Sequence, residues 1–115
     1  MEISNIGTDI VDINRFRKKD YNENKKFYEK IFTKSEIEYC LSFKNNSEHF
    51  AGKFAIKEAV KKSIKEKIGF KEIITRHKNS KPEIILKRKL DYRFVVSVSH
   101  EKDFAIAMVI ALKEN

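Results

Sequence analysis

The stretch Phe54-Ala55-Ile56-Lys57-Glu58-Ala59-Val60-Lys61-Lys62 has the periodicity of a helix and carries a carboxylate on its apolar side. At about 100° per residue, Phe50 and Phe54 share one arc with Glu58, and Lys62 lies beside it one turn further on. An ionised glutamate on a packing face costs free energy unless it is paired or binds something. Glu58 therefore either forms an i,i+4 ion pair with Lys62, which the spacing alone favours, or faces a cleft in which chemistry occurs.

Length and composition predict a single globular domain over residues 1–115. The chain is 41% hydrophobic and 11% aromatic with one proline, which suffices for one core but not for two. The longest uncharged apolar run, residues 104–112, is too short to span a bilayer, and the first residues do not resemble a signal peptide. The single cysteine, Cys40, has apolar neighbours and is expected to be a buried structural thiol. We therefore expect a cytoplasmic protein without membrane contact.

The charge balance indicates an anionic partner. The chain has 25 basic and 17 acidic residues, a formal net charge of +8, which suits nucleic acid, a membrane surface, a phosphorylated ligand or an acidic protein. Most lysines are spread along the chain and are expected to be solvated. A denser basic segment, residues 15–19, follows the first predicted strand and is either a docking surface or a contribution to solubility.

Helical patterns dominate the first half of the chain. Residues 3–13 predict a strand on which Asp9 shares a face with Ile3 and Val11. Thr33 and Glu36 have the spacing of a capping box. The longest predicted helix contains Glu58. Helices are expected over residues 14–19, 24–31, 35–43 and 47–65.

The second half predicts a sheet. Strands are expected over residues 70–77, 83–86, 94–99 and 104–112, with a turn at residues 79–82. Residues 100–103 predict a hairpin with a four-residue loop. The predicted fold class is α+β, with helices packed on one side of a mostly antiparallel sheet.

Asp9, Glu58, Lys62 and His100 form the candidate catalytic set. Carboxylates from elements far apart in sequence are common ligands of Mg²⁺, which water and substrate phosphates complete. A nearby lysine would neutralise phosphate charge or donate a proton to a leaving group.

Several blocks, in order along the chain, resemble the holo-acyl-carrier-protein synthases, a family of small 4′-phosphopantetheinyl transferases. The opening Ile6-Gly7-Thr8-Asp9-Ile10-Val11-Asp12 is similar to theirs, as is Ile31-Phe32-Thr33-Lys34-Ser35-Glu36-Ile37. The segment Phe50-Ala51-Gly52-Lys53-Phe54-Ala55-Ile56-Lys57-Glu58-Ala59, with Lys62, resembles their long signature helix. Lys81-Pro82 and Val96-Ser97-Val98-Ser99-His100 complete a resemblance that covers nearly the whole chain.

The resemblance implies a fold and a reaction. It implies the 4′-phosphopantetheinyl transferase fold. It also implies transfer of phosphopantetheine from coenzyme A to a serine of apo acyl carrier protein, with release of adenosine 3′,5′-bisphosphate. This reaction would prepare the carrier protein for fatty acid biosynthesis. Asp9 and Glu58 would hold Mg²⁺ at the pyrophosphate. Glu58, or a water on the metal, would accept the serine proton, and Lys62 would stabilise or protonate the leaving group. Arg15 would meet the acidic carrier.

The resemblance also marks candidate cofactor-binding residues. His100 is either a polar residue of the predicted hairpin loop or, as its place in a family segment implies, a residue that lines the coenzyme A site. Lys53 and Lys57 flank the signature helix face and would contact coenzyme A phosphates, or else would be solvated helix lysines. Lys53 stands where many members have arginine, which loses bidentate phosphate binding, and the loop at residues 65–69 is shorter than in many relatives. Family members are typically trimers that share active sites between subunits, so a homotrimer is expected.

A basic nucleic-acid-binding module is the alternative function. The chain shows no recognisable nucleic-acid-binding motif and no aromatic residues interleaved with the basic ones. We therefore expect no nucleic-acid partner, and a salt-dependent titration would distinguish the two hypotheses.

Overall fold

The computed structural model describes residues 2–114 and has two antiparallel sheets. The three-stranded sheet has the order β1-β5-β4 and the second sheet pairs β2 with β3. The strands are β1 Glu2–Asp12, β2 Ile73–Lys78, β3 Lys81–Leu86, β4 Tyr92–Glu101 and β5 Phe104–Lys113.

Four α-helices and two 3₁₀ turns connect or cover these strands. The α-helices are α1 Asn14–Arg17, α2 Lys25–Ile31, α3 Lys34–Leu41 and α4 Asn46–Ser63, and the 3₁₀ turns are Tyr21–Glu23 and Phe70–Glu72. Helix α4 is the longest and packs across β1, β5 and β4 on one face of the three-stranded sheet. The predicted α+β class is therefore confirmed. Within residues 2–114, no helix combines the length and apolarity needed to cross a membrane.

Local sequence signals placed most boundaries closely. Thr33 caps α3, with its hydroxyl accepting from the Glu36 amide and the Glu36 carboxylate accepting from the Thr33 amide, as the capping box predicted. The predicted four-residue loop at 100–103 is wrong, because β4 runs to Glu101 and only two residues connect it to β5. Lys102 takes a positive φ of 54° there, as two-residue hairpin loops require.

The turn between β2 and β3 is also tighter than expected. Only Asn79 and Ser80 form it, with φ of 53° and 65°. Lys81 and Pro82 belong to β3 rather than to the turn. Because both central residues have positive φ, Ser80 occupies a backbone conformation that favours glycine or asparagine.

The two faces of the three-stranded sheet differ in what covers them. The inner face packs small and branched side chains such as Val11, Ala107 and Val109 against α4, all of them buried. Ile3 was expected on this face but is 61% exposed, because a register shift between Ile3 and Asn5 turns the end of β1. The outer face is apolar yet uncovered, with exposed Ile6, Ile10, Val95, Phe104, Ile106 and Met108.

Aromatic side chains form the core on the other side of α4. Phe16 of α1 packs against Tyr28, Phe32, Phe50 and Phe54, with ring centroids 5.8 to 6.3 Å apart. The Cys40 thiol is fully buried, and this burial raises its pKa to about 12. The thiol is therefore protonated and unreactive, in agreement with a structural role.

Strand β1 and helix α4 touch through their backbones at Gly7. A Cβ at Gly7 would lie 1.9 Å from the Ala59 carbonyl oxygen and 3.1 Å from the Ser63 amide nitrogen. Such separations are far inside van der Waals contact, so only glycine permits this crossing.

A buried ion pair joins α4 to the elements on its other side. Lys57 Nζ lies 2.7 Å from Glu36 Oε1, and both side chains are completely buried. The Lys57 amino group also donates to the carbonyl oxygens of Ile31 and Phe70. Glu36 Oε2 accepts from the amide and hydroxyl of Thr75 at 2.7 and 2.8 Å. The network therefore fastens α4 to the end of α2, to α3 and to β2.

We predict that Gly7→Ala destabilises the protein by about 3 kcal/mol, because backbone atoms of α4 must move to admit the methyl group. The matched control is Gly69→Ala. Gly69 has φ of −82° and its Cβ would meet only the Glu72 carboxylate at 3.6 Å, so a change under about 1 kcal/mol is expected. Urea unfolding of both variants measures the difference, and equal stabilities would contradict the close crossing.

We predict that stability falls steeply in acid because of Glu36. Burial alone raises the pKa of this carboxyl group, but the Lys57 ammonium and the amides of Thr33 and Thr75 outweigh burial and hold the pKa below its usual value. A lowered folded-state pKa gives stability that is complete above the unfolded-state value of about 4.3 and is lost as pH falls through the folded-state pKa.

Glu36→Gln should remove that part of the acid dependence and cost about 3–5 kcal/mol at pH 7, because it leaves Lys57 without its anion. Exposed Glu38 on the same helix provides the matched control, and Glu38→Gln should change both quantities little. Urea unfolding between pH 3 and 7 measures the effect. The prediction is wrong if the two glutamine variants behave alike.

Candidate active site

Asp9 and Lys62 meet where β1 crosses α4. Lys62 Nζ lies 3.0 Å from Asp9 Oδ1 and donates to the Thr8 carbonyl oxygen at 2.9 Å. The Asp9 side chain is 14% exposed and that of Lys62 is 55% exposed. Asp9 follows Gly7 by two positions and therefore points from the same face of β1 toward the helix. The structure thus brings together two of the predicted site residues.

Glu58 lies on α4 one turn before Lys62 and is half-buried. Among residues 2–114, its carboxylate has no ion-pair partner, because Lys62 has turned to Asp9. The i,i+4 ion pair that the helical spacing favoured is therefore not formed. Glu58 immediately precedes Ala59, the residue that Gly7 touches, so both carboxylates flank the same strand–helix crossing.

Arg15 packs on Phe54, which lies one helical turn before Glu58 on α4. Its guanidinium stands 5.0 Å from the centre of the Phe54 ring. Arg15 is exposed and keeps its charge directed to solvent. Arg17, by contrast, bonds to Asp103 at 2.7 Å and to the Lys102 carbonyl oxygen, which ties α1 to the β4–β5 hairpin.

His100 lies apart from the carboxylates. It is in β4 rather than in a loop, and its Nδ1 lies 3.7 Å from Glu48 Oε2 at the start of α4. Glu48 precedes Glu58 by ten residues, or about 15 Å along the helix axis. His100 is 48% exposed and is therefore accessible to a ligand beside the start of α4.

The structure does not place Lys57 where it could contact a phosphate. Its amino group is fully buried and donates three hydrogen bonds, one to Glu36 and two to carbonyl oxygens. The alternative expectation of a solvated helix lysine is also wrong. The helical pattern did not reveal this burial, because the partners come from α3, α2 and the turn before β2.

Lys53 is also withdrawn from solvent. Its side chain is 3% exposed, and Nζ donates to Thr75 Oγ1 at 2.8 Å and faces the Tyr39 ring at 4.7 Å. Burial lowers the pKa of this ammonium, with Glu36 acting in the opposite direction. In this conformation Lys53 contributes positive potential near the middle of α4 rather than a direct phosphate contact.

Two histidines, His49 and His77, stack on aromatic rings near Lys53. His49 stacks on Phe43 with centroids 3.7 Å apart, and exposed His77 stacks on Tyr39 at 4.6 Å. Burial lowers the pKa of both histidines, and Lys53 contributes to each shift. The stacked rings form an aromatic surface beside the first turns of α4.

A broad groove of about 1060 Å³ runs between β3 and β4. Basic Lys78, Lys81 and Arg93 line it together with apolar Ile84 and Val96. Neither carboxylate of the strand–helix crossing borders it. The groove and the crossing are therefore separate features of one chain.

The crossing offers oxygen ligands and a cation in one place. Within the described chain, no cluster of three or more histidine, cysteine or acidic side chains could hold a metal ion by itself. Two carboxylates from β1 and α4 fit a hard cation such as Mg²⁺, which commonly uses one or two carboxylates and takes its remaining ligands from water and substrate. An exposed ammonium beside them suits an anionic leaving group.

Comparisons with known proteins identify the family of this chain. The profile described as the 4′-phosphopantetheinyl transferase superfamily matches residues 5–109. A holo-[acyl-carrier-protein] synthase of Chlamydia felis is 41% identical over 121 aligned residues, which cover 97% of this chain and 99% of that protein.

Solved structures show the same fold. The holo-(acyl-carrier-protein) synthase of Bacillus anthracis in complex with CoA (3′,5′-ADP) superimposes with a TM-score of 0.84 at 32% identity, covering 97% of this chain and 98% of that one. The Helicobacter pylori synthase in complex with coenzyme A gives 0.80 at 32% identity, covering 93% and 99%. By sequence and by fold, the chain belongs to the 4′-phosphopantetheinyl transferase superfamily, among the holo-acyl-carrier-protein synthases.

Proposed function

We propose that this protein transfers 4′-phosphopantetheine from coenzyme A to a serine hydroxyl of an apo acyl carrier protein, with Mg²⁺ as cofactor. The convergence of Asp9, Glu58 and Lys62 at the crossing of β1 and α4 carries the proposal. Family membership supports it, and two of the similar solved structures contain coenzyme A or its nucleotide portion. The product would place the protein in fatty acid biosynthesis, in the cytoplasm.

The residues at the crossing fit a divalent metal. Asp9 uses one carboxylate oxygen for Lys62, and Glu58 has no protein cation among the described residues. Mg²⁺ held by these two side chains would offset the negative charge of the pyrophosphate and so make attack on phosphorus easier.

The remaining chemistry is assigned to side chains of this chain. The serine oxygen forms a bond to the phosphorus that carries the pantetheine arm, and the bond from that phosphorus to the bridging oxygen breaks. Glu58 accepts the serine proton. Lys62 donates hydrogen bonds or a proton to the released 5′-phosphate of adenosine 3′,5′-bisphosphate. Both groups lie on one helix face, so they act on the two ends of the same displacement.

Arg15 is proposed to receive the acidic carrier protein. Its exposed guanidinium is held over Phe54, one turn from Glu58, and the chain has a net charge of +8. Attraction between opposite charges would speed encounter and orient the carrier serine toward Glu58. His100 is proposed to contact coenzyme A at the far end of α4. No observation in the structure favours nucleic acid as the partner.

The exposed sheet face supports the expected homotrimer. Six apolar side chains on the outer face are 45–63% exposed, and contiguous exposed apolar surface commonly marks an interface. Central strand β5 contributes three of them, Phe104, Ile106 and Met108. Three copies joined through this face would bury it.

We predict that Asp9→Asn, Glu58→Gln and Lys62→Met each reduce transfer by at least about 100-fold with folding intact, because each removes a group that acts in the displacement. Intact mass of an apo carrier protein after incubation with coenzyme A and Mg²⁺ measures transfer, and EDTA should abolish it. Lys61→Met is the control for Lys62, since Lys61 turns to the Phe70 ring at 3.5 Å. Full activity of Glu58→Gln would overturn the mechanism.

We predict that Ile106→Glu converts the assembly to monomers. Ile106 is 48% exposed at the centre of the outer face, and burying a carboxylate there would cost several kcal/mol. Light scattering should give three times the 13.6 kDa chain mass for the wild type and one chain for the variant. Leu41→Glu, at an exposed leucine of α3, should keep the wild-type mass, and a monomeric wild type would contradict the proposal.

A further inference from the structure

The buried ion pair between Glu36 and Lys57 takes no part in the proposed chemistry, although Lys57 immediately precedes the proposed base, Glu58, on α4. Lys57 Nζ donates to Glu36 Oε1 at 2.7 Å, to the Ile31 carbonyl oxygen at 2.8 Å and to the Phe70 carbonyl oxygen at 3.0 Å. An ammonium has three protons, so this group is fully satisfied by three separate segments of the chain.

The Glu36 carboxylate is equally saturated. Oε1 accepts from Lys57 and from the Thr33 amide at 2.8 Å, while Oε2 accepts from the amide and hydroxyl of Thr75. Four donors therefore fix the carboxylate in one orientation. Through this carboxylate, the position of α4 is fixed relative to the first turn of α3 and to β2.

Stability alone does not account for a pair of this kind. Removing two charges from water costs more than their attraction returns in many proteins, and apolar side chains of similar volume often serve as well. Directional bonds provide what apolar packing does not. The Lys57 ammonium meets all three acceptors at the observed rotation and axial position of α4.

That rotation decides where Glu58 points. Glu58 follows Lys57 on the helix, and its carboxylate stands about 5–6 Å from the helix axis. A rotation of about 20° would move it by about 2 Å. On the site side, α4 is held by the Gly7 contact and by the half-exposed Lys62–Asp9 pair, and the Glu36–Lys57 network adds directional bonds on its opposite side.

We propose that Glu36 and Lys57 are positioning residues that set the rotation of α4 and thereby aim the Glu58 carboxylate. This inference rests on the proposed function, because it assigns the pair a role in the reaction that Glu58 serves. Misplacement of a reacting group by about 1 Å can cost about 100-fold in rate.

The test is the double variant Glu36→Gln/Lys57→Met, which removes both charges together and leaves no uncompensated ion, while both side chains stay close to their original volumes. We expect a folded protein whose kcat falls at least about 10-fold while the KM for coenzyme A stays within about twofold, since binding groups are unchanged. A crystal structure should show the Glu58 carboxylate displaced by more than about 1 Å relative to Asp9.

Two further variants separate positioning from general stability. Val60→Ala alters another fully buried α4 side chain outside the network, and it should lower the unfolding temperature without changing kcat. Glu36→Asp keeps the charge but shortens the side chain by one methylene, and it is the second test of the proposal if the double variant does not fold. It should show both a smaller displacement of Glu58 and a smaller loss of kcat than the double variant.

Support requires displacement and loss of kcat together. A displaced carboxylate with normal kcat overturns the proposal, as does a lost kcat with Glu58 in place, or an equal loss in Val60→Ala. If the wild type transfers nothing to any apo carrier protein, the proposed function fails. The crystallographic displacement of Glu58 then decides the positioning role by itself.

Discussion

The contact between the backbones of β1 and α4 at Gly7 is the constraint on which the site depends. A side chain there would occupy the space of the Ala59 carbonyl group. Because none is present, the strand lies close enough for Lys62 to bond to both the Thr8 carbonyl oxygen and Asp9. Two carboxylates from distant parts of the sequence therefore flank one crossing.

Lysines on helix α4 have two different roles, one structural and one proposed to be functional. Lys53 and Lys57 point away from the three-stranded sheet into the junction with α3 and β2. There they donate hydrogen bonds to Thr75 and Glu36, respectively. Lys62 points toward β1 and remains half-exposed. A buried ammonium must satisfy every proton locally, whereas an exposed one is free to exchange water for substrate. The direction in which each lysine points from the helix axis thus distinguishes the two structural lysines from the proposed functional one, Lys62.

Local signals explain what the sequence predicted well. The period of α4, the alternation of β1 that turns Asp9 inward and the capping box at Thr33 all depend on residues close together in the chain, and the structure contains each of them. The Lys57 environment was missed because Glu36 and Phe70 come from other elements. His100 was misplaced because a two-residue loop with Lys102 at positive φ extended β4.

Strand β1 links the site to the uncovered sheet face. Asp9 points inward to α4, while its neighbour Ile10 points outward and is 63% exposed. Successive residues of a strand share one backbone, so a partner that packs on Ile10 also restrains the peptide groups that carry Asp9. Assembly through the outer face would therefore stiffen the strand side of the crossing, while the Glu36–Lys57 network holds the helix side. The carboxylates would then be fixed by two independent sets of contacts, neither of which touches the reacting atoms.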